Sequence, residues 1–229
     1  MKRITWLSDA DAPDWFPDPE HALDEPPGLL AAGGELTAHR LLSAYRRGIF
    51  PWYSPGQPVL WWSPDPREVL FPQEFRRSRS LGKAIRNRGI DVTVDRDFAA
   101  VIDACATRAD TGAGTWITPE MRAAYLELHA LGHAHSIEAR RGGALVGGLY
   151  GVALGGLFFG ESMFARERDA SKIALAHLVD HAAERGIGLI DCQIASAHLR
   201  SLGSRPVPRR EFTALLARFG TAERAQHWT

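Results

Sequence analysis

Cysteine is scarce: Cys105 and Cys192 are the only two in 229 residues. Two cannot build a disulfide framework, and without a Cys-x-x-Cys pair there is no cysteine half of a zinc site. Net charge is missing as well, with 27 Lys+Arg set against 27 Asp+Glu. That balance excludes a histone-like or tail-driven nucleic-acid binder, so any contact with RNA or DNA must come from a local patch. Residues 1–25 carry seven acids and no apolar run of useful length. We therefore expect no cleavable secretory leader and a cytoplasmic location. The charge-free run from Gly142 to Gly160 has 19 residues, but eight of them are glycine, a heavy penalty for a membrane helix. It reads instead as a buried hairpin, Ala144–Ala153 and Leu157–Ser162, turning at Gly155-Gly156, and no membrane partner is expected.

What is present is the composition of an ordinary globular protein, 45% hydrophobic and 24% charged. Eleven of 14 prolines and five of seven tryptophans precede residue 73, which predicts a boundary near residues 66–72. A small Pro/Trp-rich N-terminal domain, 1–68, then precedes a larger one, 69–229. In the first, Thr37 as N-cap, Leu41, Leu42 and Tyr45 on one face and Gly48 in the C′ position predict a helix. In the second, helical patterns cover 80–87, 95–106 and 119–131, the last with Thr118 as N-cap. A strand over 134–140, the hairpin, a helix over 170–185 and a strand over 187–193 follow. This α/β (α+β) order resembles the acetyltransferase-like fold of coenzyme-A-dependent N-acetyltransferases, by analogy of pattern alone.

Several groups could carry chemistry. Arg76, Arg77, Arg79, Lys83, Arg86 and Arg88 put six cations and no acid into 13 residues, either a phosphate footprint or a solvated helix face. Neither His129/His133/His135 nor His177/His181 forms His-Glu-x-x-His, so no metal is expected. Residues 160–164 do not form Gly-x-Ser-x-Gly, so a hydrolase nucleophile is not supported. Strand alternation over Asp191-Cys192-Gln193 sends Asp191 and Gln193 to one face and Cys192 to the core. A carboxylate and an amide on a buried strand are costly unless they bind something or satisfy loop backbone. Glu161, after Leu157-Phe158-Phe159-Gly160, is expected buried with a polar partner at a pocket floor.

The strings GLLAAGGELTAHRLLSAYRRGIFPWYS (28–54), LWWSPDPR (60–67), GTWIT (114–118), AHSIEAR (134–140), LVGGLYGVALGGLFFGESMFAR (145–166) and LIDCQIASAHLRSLGS (189–204) resemble the leucyl/phenylalanyl-tRNA–protein transferase family, in order from about residue 16 to about 212. The resemblance implies an enzyme that moves leucine or phenylalanine, with methionine a further candidate, from aminoacyl-tRNA to the α-amine of proteins beginning with Lys or Arg, marking them for N-end rule degradation. It implies an acetyltransferase-like C-terminal fold, no cofactor and a monomer. The acetyltransferases' glycine-rich pyrophosphate loop is replaced here by Arg166-Glu167-Arg168-Asp169-Ala170-Ser171, which disfavours coenzyme A.

By motif, the resemblance assigns Asp191 and Gln193 as the catalytic pair. Glu161, Met163, Leu149 and Trp116 become the pocket for the aminoacyl side chain and terminal adenosine. Trp52, Tyr45 and Tyr125 fall near the same cleft, and Ser196 stands where an asparagine is common. The cationic run 76–88 matches the tRNA-contacting helix. Alternation along Glu161-Ser162-Met163 predicts that Glu161 and Met163 share one face of a slot with Leu149, which would reject β-branched donors. Whether a side chain or a vicinal ribose hydroxyl takes the amine's proton stays open. An acetyl-coenzyme-A acetyltransferase and a non-enzymatic RNA-binding module remain the rival readings.

Overall fold

The structure, a computed structural model, describes residues 2–8, 11–107, 115–220 and 228. Gly114 of the GTWIT string therefore lies outside the described residues. The chain begins with β1 (Thr5–Leu7), β2 (Leu29–Gly33), α1 (Ala38–Arg46), β3 (Phe50–Pro51) and β4 (Leu60–Trp62). It continues through β5 (Arg67–Leu70), α2 (Arg79–Asn87), β6 (Asp91–Val94), α3 (Phe98–Ala106), α4 (Pro119–Ala130), β7 (Ala134–Arg141), β8 (Ala144–Leu154) and β9 (Leu157–Ala165). Then come α5 (Ala170–Asp180), β10 (Leu189–Gln193), α6 (Ala197–Ser201), β11 (Arg205–Val207) and α7 (Arg209–Gly220).

Two sheets result. The smaller has the order β1-β2-β4-β3 and the larger β11-β5-β10-β9-β8-β7-β6. In the larger sheet every pairing is antiparallel except β9 with β10. A hairpin pair, a crossing helix α5 and a strand laid parallel to the last hairpin strand make up the mixed α/β, acetyltransferase-like order expected for this region. Period-two alternation splits the side chains between two cores. Val69, Tyr150, Phe159 and Leu189 pack with α1, α3, α4 and α7. Their sequence neighbours Leu70, Leu149, Phe158 and Ile190 pack with α2 and α5.

The structure departs from the sequence reading at several boundaries. The helix read from residue 95 begins at Phe98, because Asp95 turns left-handed at φ 52 and Asp97 caps the first turn by accepting from the Ala100 amide. The helix read to 185 ends at Asp180, and the strand read from 187 begins at Leu189. The N-terminal region also carries four short strands, which form its sheet. Gly48 does sit past the end of α1 with φ 73, and a Cβ there would lie 2.8 Å from the Phe212 ring.

Candidate active site

The cavity follows from how β9 and β10 separate. They pair as Leu189↔Leu157, Ile190↔Phe158 and Asp191↔Phe159, and no further. Beyond that point each strand carries an irregularity. In β9 the register slips so that Gly151 faces Gly160 and Tyr150 faces Ser162, leaving Glu161 as the extra residue. In β10 the pairing with β5 shifts between Asp191 and Gln193, and Gln193 takes a left-handed φ of 57. Such bulges re-aim side chains and end pairing. The gap is a cavity of about 950 Å³, ample for a small-molecule or aminoacyl moiety. One wall is apolar, from Leu149, Phe158, Met163, Leu175, Leu178 and Ile190; Glu161 and Gln193 supply polar groups.

Behind the polar end lies a fully buried ion pair. Arg67 donates from Nε to Asp191 Oδ1 at 2.8 Å and from Nη2 to Oδ2 at 2.6 Å, and both side chains have no solvent exposure. The Gly48 carbonyl takes Nη1 at 3.0 Å, and the guanidinium lies over the Phe50 and Phe212 rings at 4.7 Å each. Burial of two charges is sustainable only with such complete pairing. Asp191 Oδ1 also accepts the Gln193 amide at 2.9 Å, which holds the strained left-handed turn.

From that turn Gln193 Nε2 donates to Glu161 Oε1 at 3.0 Å, and Tyr125 Oη donates to Oε2 at 2.6 Å. The Tyr45 hydroxyl pairs with that of Tyr125 at 2.5 Å. Burial pushes the Glu161 carboxyl up to about 7; the Tyr125 and Tyr45 hydroxyls pull it down, Asp191 raises it and Arg67 lowers it. Burial, then Glu161, holds Tyr45 and Tyr125 well above the usual phenol range, so both remain donors. The ionised Glu161 carboxylate accepts only, so the Gln193 side-chain amide presents its NH₂ there, and Gln193 Oε1 has no hydrogen-bond partner among the described residues.

The structure brings Asp191, Gln193, Glu161, Met163, Leu149 and Ser196 to the cavity, with Tyr45 and Tyr125 behind Glu161. Ser196 caps α6 by accepting the Leu199 amide at 3.1 Å. Trp52 and Trp116 do not line it: Trp52 is exposed beside Trp62 at 5.7 Å, and Trp116 packs on the main core. Two expectations are corrected. Alternation does not hold through 191–193: Asp191 points to Arg67, and Cys192 packs on the second core while also lining the cavity. Burial, then Asp191 and Glu68, raises the Cys192 thiol far above its ordinary value. Nor do Glu161 and Met163 share a face, because the bulge turns Glu161 to the tyrosines while Met163 pairs with Leu149 on the other side; both reach the cavity only because the strands part. The Asp191 side chain is wholly enclosed, with Oδ1 accepting from Arg67 Nε and the Gln193 backbone amide and Oδ2 accepting from Arg67 Nη2.

Sequence reasoning missed Arg67, which stands 124 positions from its partner and within a string prized for its Trp and Pro. Among the described residues no group of three His, Cys, Asp or Glu is placed to hold a metal ion. No helix there is long and apolar enough to cross a membrane. In the cationic run, Arg77 and Arg88 pair with Asp180 and Asp169 of the α5 segment, the latter at 3.2 Å. Arg76, Arg79, Lys83 and Arg86 are exposed and have no acidic partner among the described residues.

Comparison with known proteins matches residues 69–217 to the leucyl/phenylalanyl-tRNA protein transferase family and residues 34–65 to that family's N-terminal domain. A leucyl/phenylalanyl-tRNA–protein transferase of Azoarcus sp. is 59% identical over 216 residues, 94% of this chain and 91% of that protein. One from Chromohalobacter salexigens is 60% identical over 207 residues, 90% of this chain and 81% of that one. Among solved structures, a GCN5-related N-acetyltransferase from Kribbella flavida is 16% identical with a TM-score of 0.38, covering 72% of this chain and 59% of that chain. On the strength of the sequence matches, this chain belongs to the leucyl/phenylalanyl-tRNA protein transferase family.

Proposed function

We propose that this chain transfers leucine or phenylalanine from aminoacyl-tRNA to the α-amine of proteins beginning with Lys or Arg, acting as a cytoplasmic monomer that marks those proteins for N-end rule degradation. The observation that carries the proposal is the chain of contacts from Arg67 through Asp191 and Gln193 to Glu161 at the end of an apolar cavity. The ester is already activated, so the enzyme's task is chiefly to place a neutral amine against the carbonyl carbon and keep water out. The new C–N bond forms, the bond to the ribose oxygen breaks, and the amine's proton ends on that oxygen.

In this reading the donor side chain enters the wall formed by Leu149, Met163, Leu175, Leu178 and Ile190. Gln193 Oε1 accepts from the incoming amine and is the catalytic residue. Asp191 and Arg67 are positioning residues that fix the Gln193 backbone, and Glu161 fixes its amide orientation. The exposed cations of α2 attract the tRNA phosphates. Radiolabelled leucyl-tRNA mixed with a peptide beginning with Arg tests it: label on the peptide is expected, and label remaining on tRNA or released as free leucine would reject it.

A further inference from the structure

The closed end of the cavity is set by one aromatic ring. Phe158 stands opposite Ile190 on the second of the three rungs that join β9 to β10, just before the strands part. Alternation turns both side chains to the α5 side of the sheet, where they line the cavity with Leu175 and Leu178. The Phe158 ring already lies close against β8: its Cε1 and Cζ are 2.6 Å from where a Cβ on Gly151 would stand. It cannot settle further into the sheet.

Sideways it meets a second ring. Trp228 lies against Phe158 with centroids 5.6 Å apart and planes tilted by 31°. The indole is 7% exposed and does not itself line the cavity. It is held in turn: it stacks on the His135 ring at 4.0 Å with planes 6° apart, and the Arg185 guanidinium lies 5.3 Å from its centroid. His135, which pairs with Gly151 across β7 and β8, is anchored from behind, its Nδ1 donating to Asp95 Oδ2 at 2.7 Å while the Ser136 amide donates to Oδ1 at 2.8 Å. A line of contacts thus runs from Asp95 through His135 and Trp228 to Phe158 and ends at the cavity wall. Interiors packed this closely leave a ring no room to retreat, so the side chain behind a wall fixes where the wall stands.

We propose that Trp228 is a specificity-determining positioning residue that, by holding Phe158 in place, sets the depth of the donor slot to that of leucine and phenylalanine. The role rests on the transferase reading and deepens it: Leu149 and Met163 select shape at the mouth, and the Phe158–Trp228 pair selects length at the closed end. Truncating Trp228 leaves space behind Phe158 into which the ring can move. The slot then lengthens, and a longer donor side chain, that of tryptophan, gains relative to leucine.

The test is the ratio of kcat/KM for tryptophanyl-tRNA to that for leucyl-tRNA, measured with the full chain and an Arg-initial peptide. Both values come from one preparation, so any unfolded fraction cancels. Trp228→Ala should raise the ratio by about 10-fold, the scale at which steric fit in an apolar pocket discriminates. It should also raise the leucyl-tRNA KM while leaving kcat in place. Trp228→Phe, which keeps a ring against Phe158, should retain the ratio of the natural protein. Trp228→Leu, a milder truncation, should move the ratio in the same direction as alanine and decides the matter if the alanine variant does not fold. Phe158→Leu shortens the wall directly and should raise the ratio by itself; adding Trp228→Ala to it should then change little, because the two residues act as one unit. An unchanged ratio in Trp228→Ala and Trp228→Leu, with both donors slowed alike, would overturn the role, and so would a fully additive gain in the double variant. Failure of the transferase reading shows separately, as no label passing from leucyl-tRNA to the peptide with the natural protein.

Discussion

Two charged regions of this molecule are built in opposite ways. Arg67 and Asp191 come from positions 124 apart, meet with no solvent exposure, and every side-chain nitrogen and oxygen of the two has a hydrogen-bond partner in the other, in Gly48 or in Gln193. Arg79, Lys83 and Arg86 come from one nine-residue helix and stand in water without acidic partners among the described residues. A pair enclosed in this way and bonded to its own neighbours offers geometry. Exposed, unpaired cations fix no geometry, so what they offer is a field that any phosphate backbone feels alike. Rate should depend on the first region and affinity on the second.

The largest effect should come from breaking the buried pair on one side. Arg67→Met leaves Asp191 unpaired in the core, and urea denaturation should register a loss of about 3–5 kcal/mol. The double change Arg67→Met with Asp191→Leu should restore most of that stability, since apolar replacements of a buried pair are often tolerated. It should not restore transfer, because the Gln193 amide has lost its acceptor. Recovery of both together would mean the pair has no positioning role.

Next comes Gln193→Ala, which removes the proposed amine contact at the tip of the same network. Transfer at saturating leucyl-tRNA should fall by about 10²-fold, and stability should change by less than about 1 kcal/mol. Donor choice should show a smaller step. A β-branched side chain brings bulk to the mouth of the Leu149/Met163 wall, so isoleucyl- and valyl-tRNA should be at least roughly 10-fold poorer than leucyl-tRNA in kcat/KM. Equal values would discard the slot.

How far each region was legible in the sequence follows the same division. The α2 cations lie side by side in the chain, and Thr37, Thr118 and the glycines after α1 and α4 mark helix ends by local chemistry alone. The runs of β7 to β9 were also readable, the last two as a hairpin turning at paired glycines. β5 was not, because Arg67 and Glu68 take half of its four positions and hide the apolar signal; both are buried by partners distant in sequence. Asp191, Gln193 and Glu161 were recognisable as polar residues on apolar strands. Their directions were not, since alternation assumes unbroken pairing and the site exists where two bulges break it.

Glu161 links the network to pH. With its carboxyl raised to about 7, the ionised form that receives the Gln193 amide becomes populated as pH rises through that value. kcat/KM should therefore climb between about pH 6 and 7.5 and then level, a slope of up to roughly 10-fold per unit. Glu161→Gln should remove that inflection. Stability should run the other way: the folded state holds this proton to higher pH than the unfolded state does, so this residue's contribution falls as pH rises from about 4.5 to 7. The smallest effect belongs to the exposed face. Arg79→Ala with Lys83→Ala should weaken every aminoacyl-tRNA about 10-fold and flatten the log–log salt dependence by about 1.5, with stability within about 0.5 kcal/mol.

The division of labour is tested most directly by single-turnover transfer from leucyl-tRNA to an Arg-initial peptide, measured across donor concentration for Gln193→Ala and for the Arg79→Ala/Lys83→Ala pair. The account predicts that Gln193→Ala lowers the rate at saturation with an unchanged half-saturating concentration. The basic-face pair should raise that concentration and leave the saturated rate intact. The same parameter moving in both variants would contradict it.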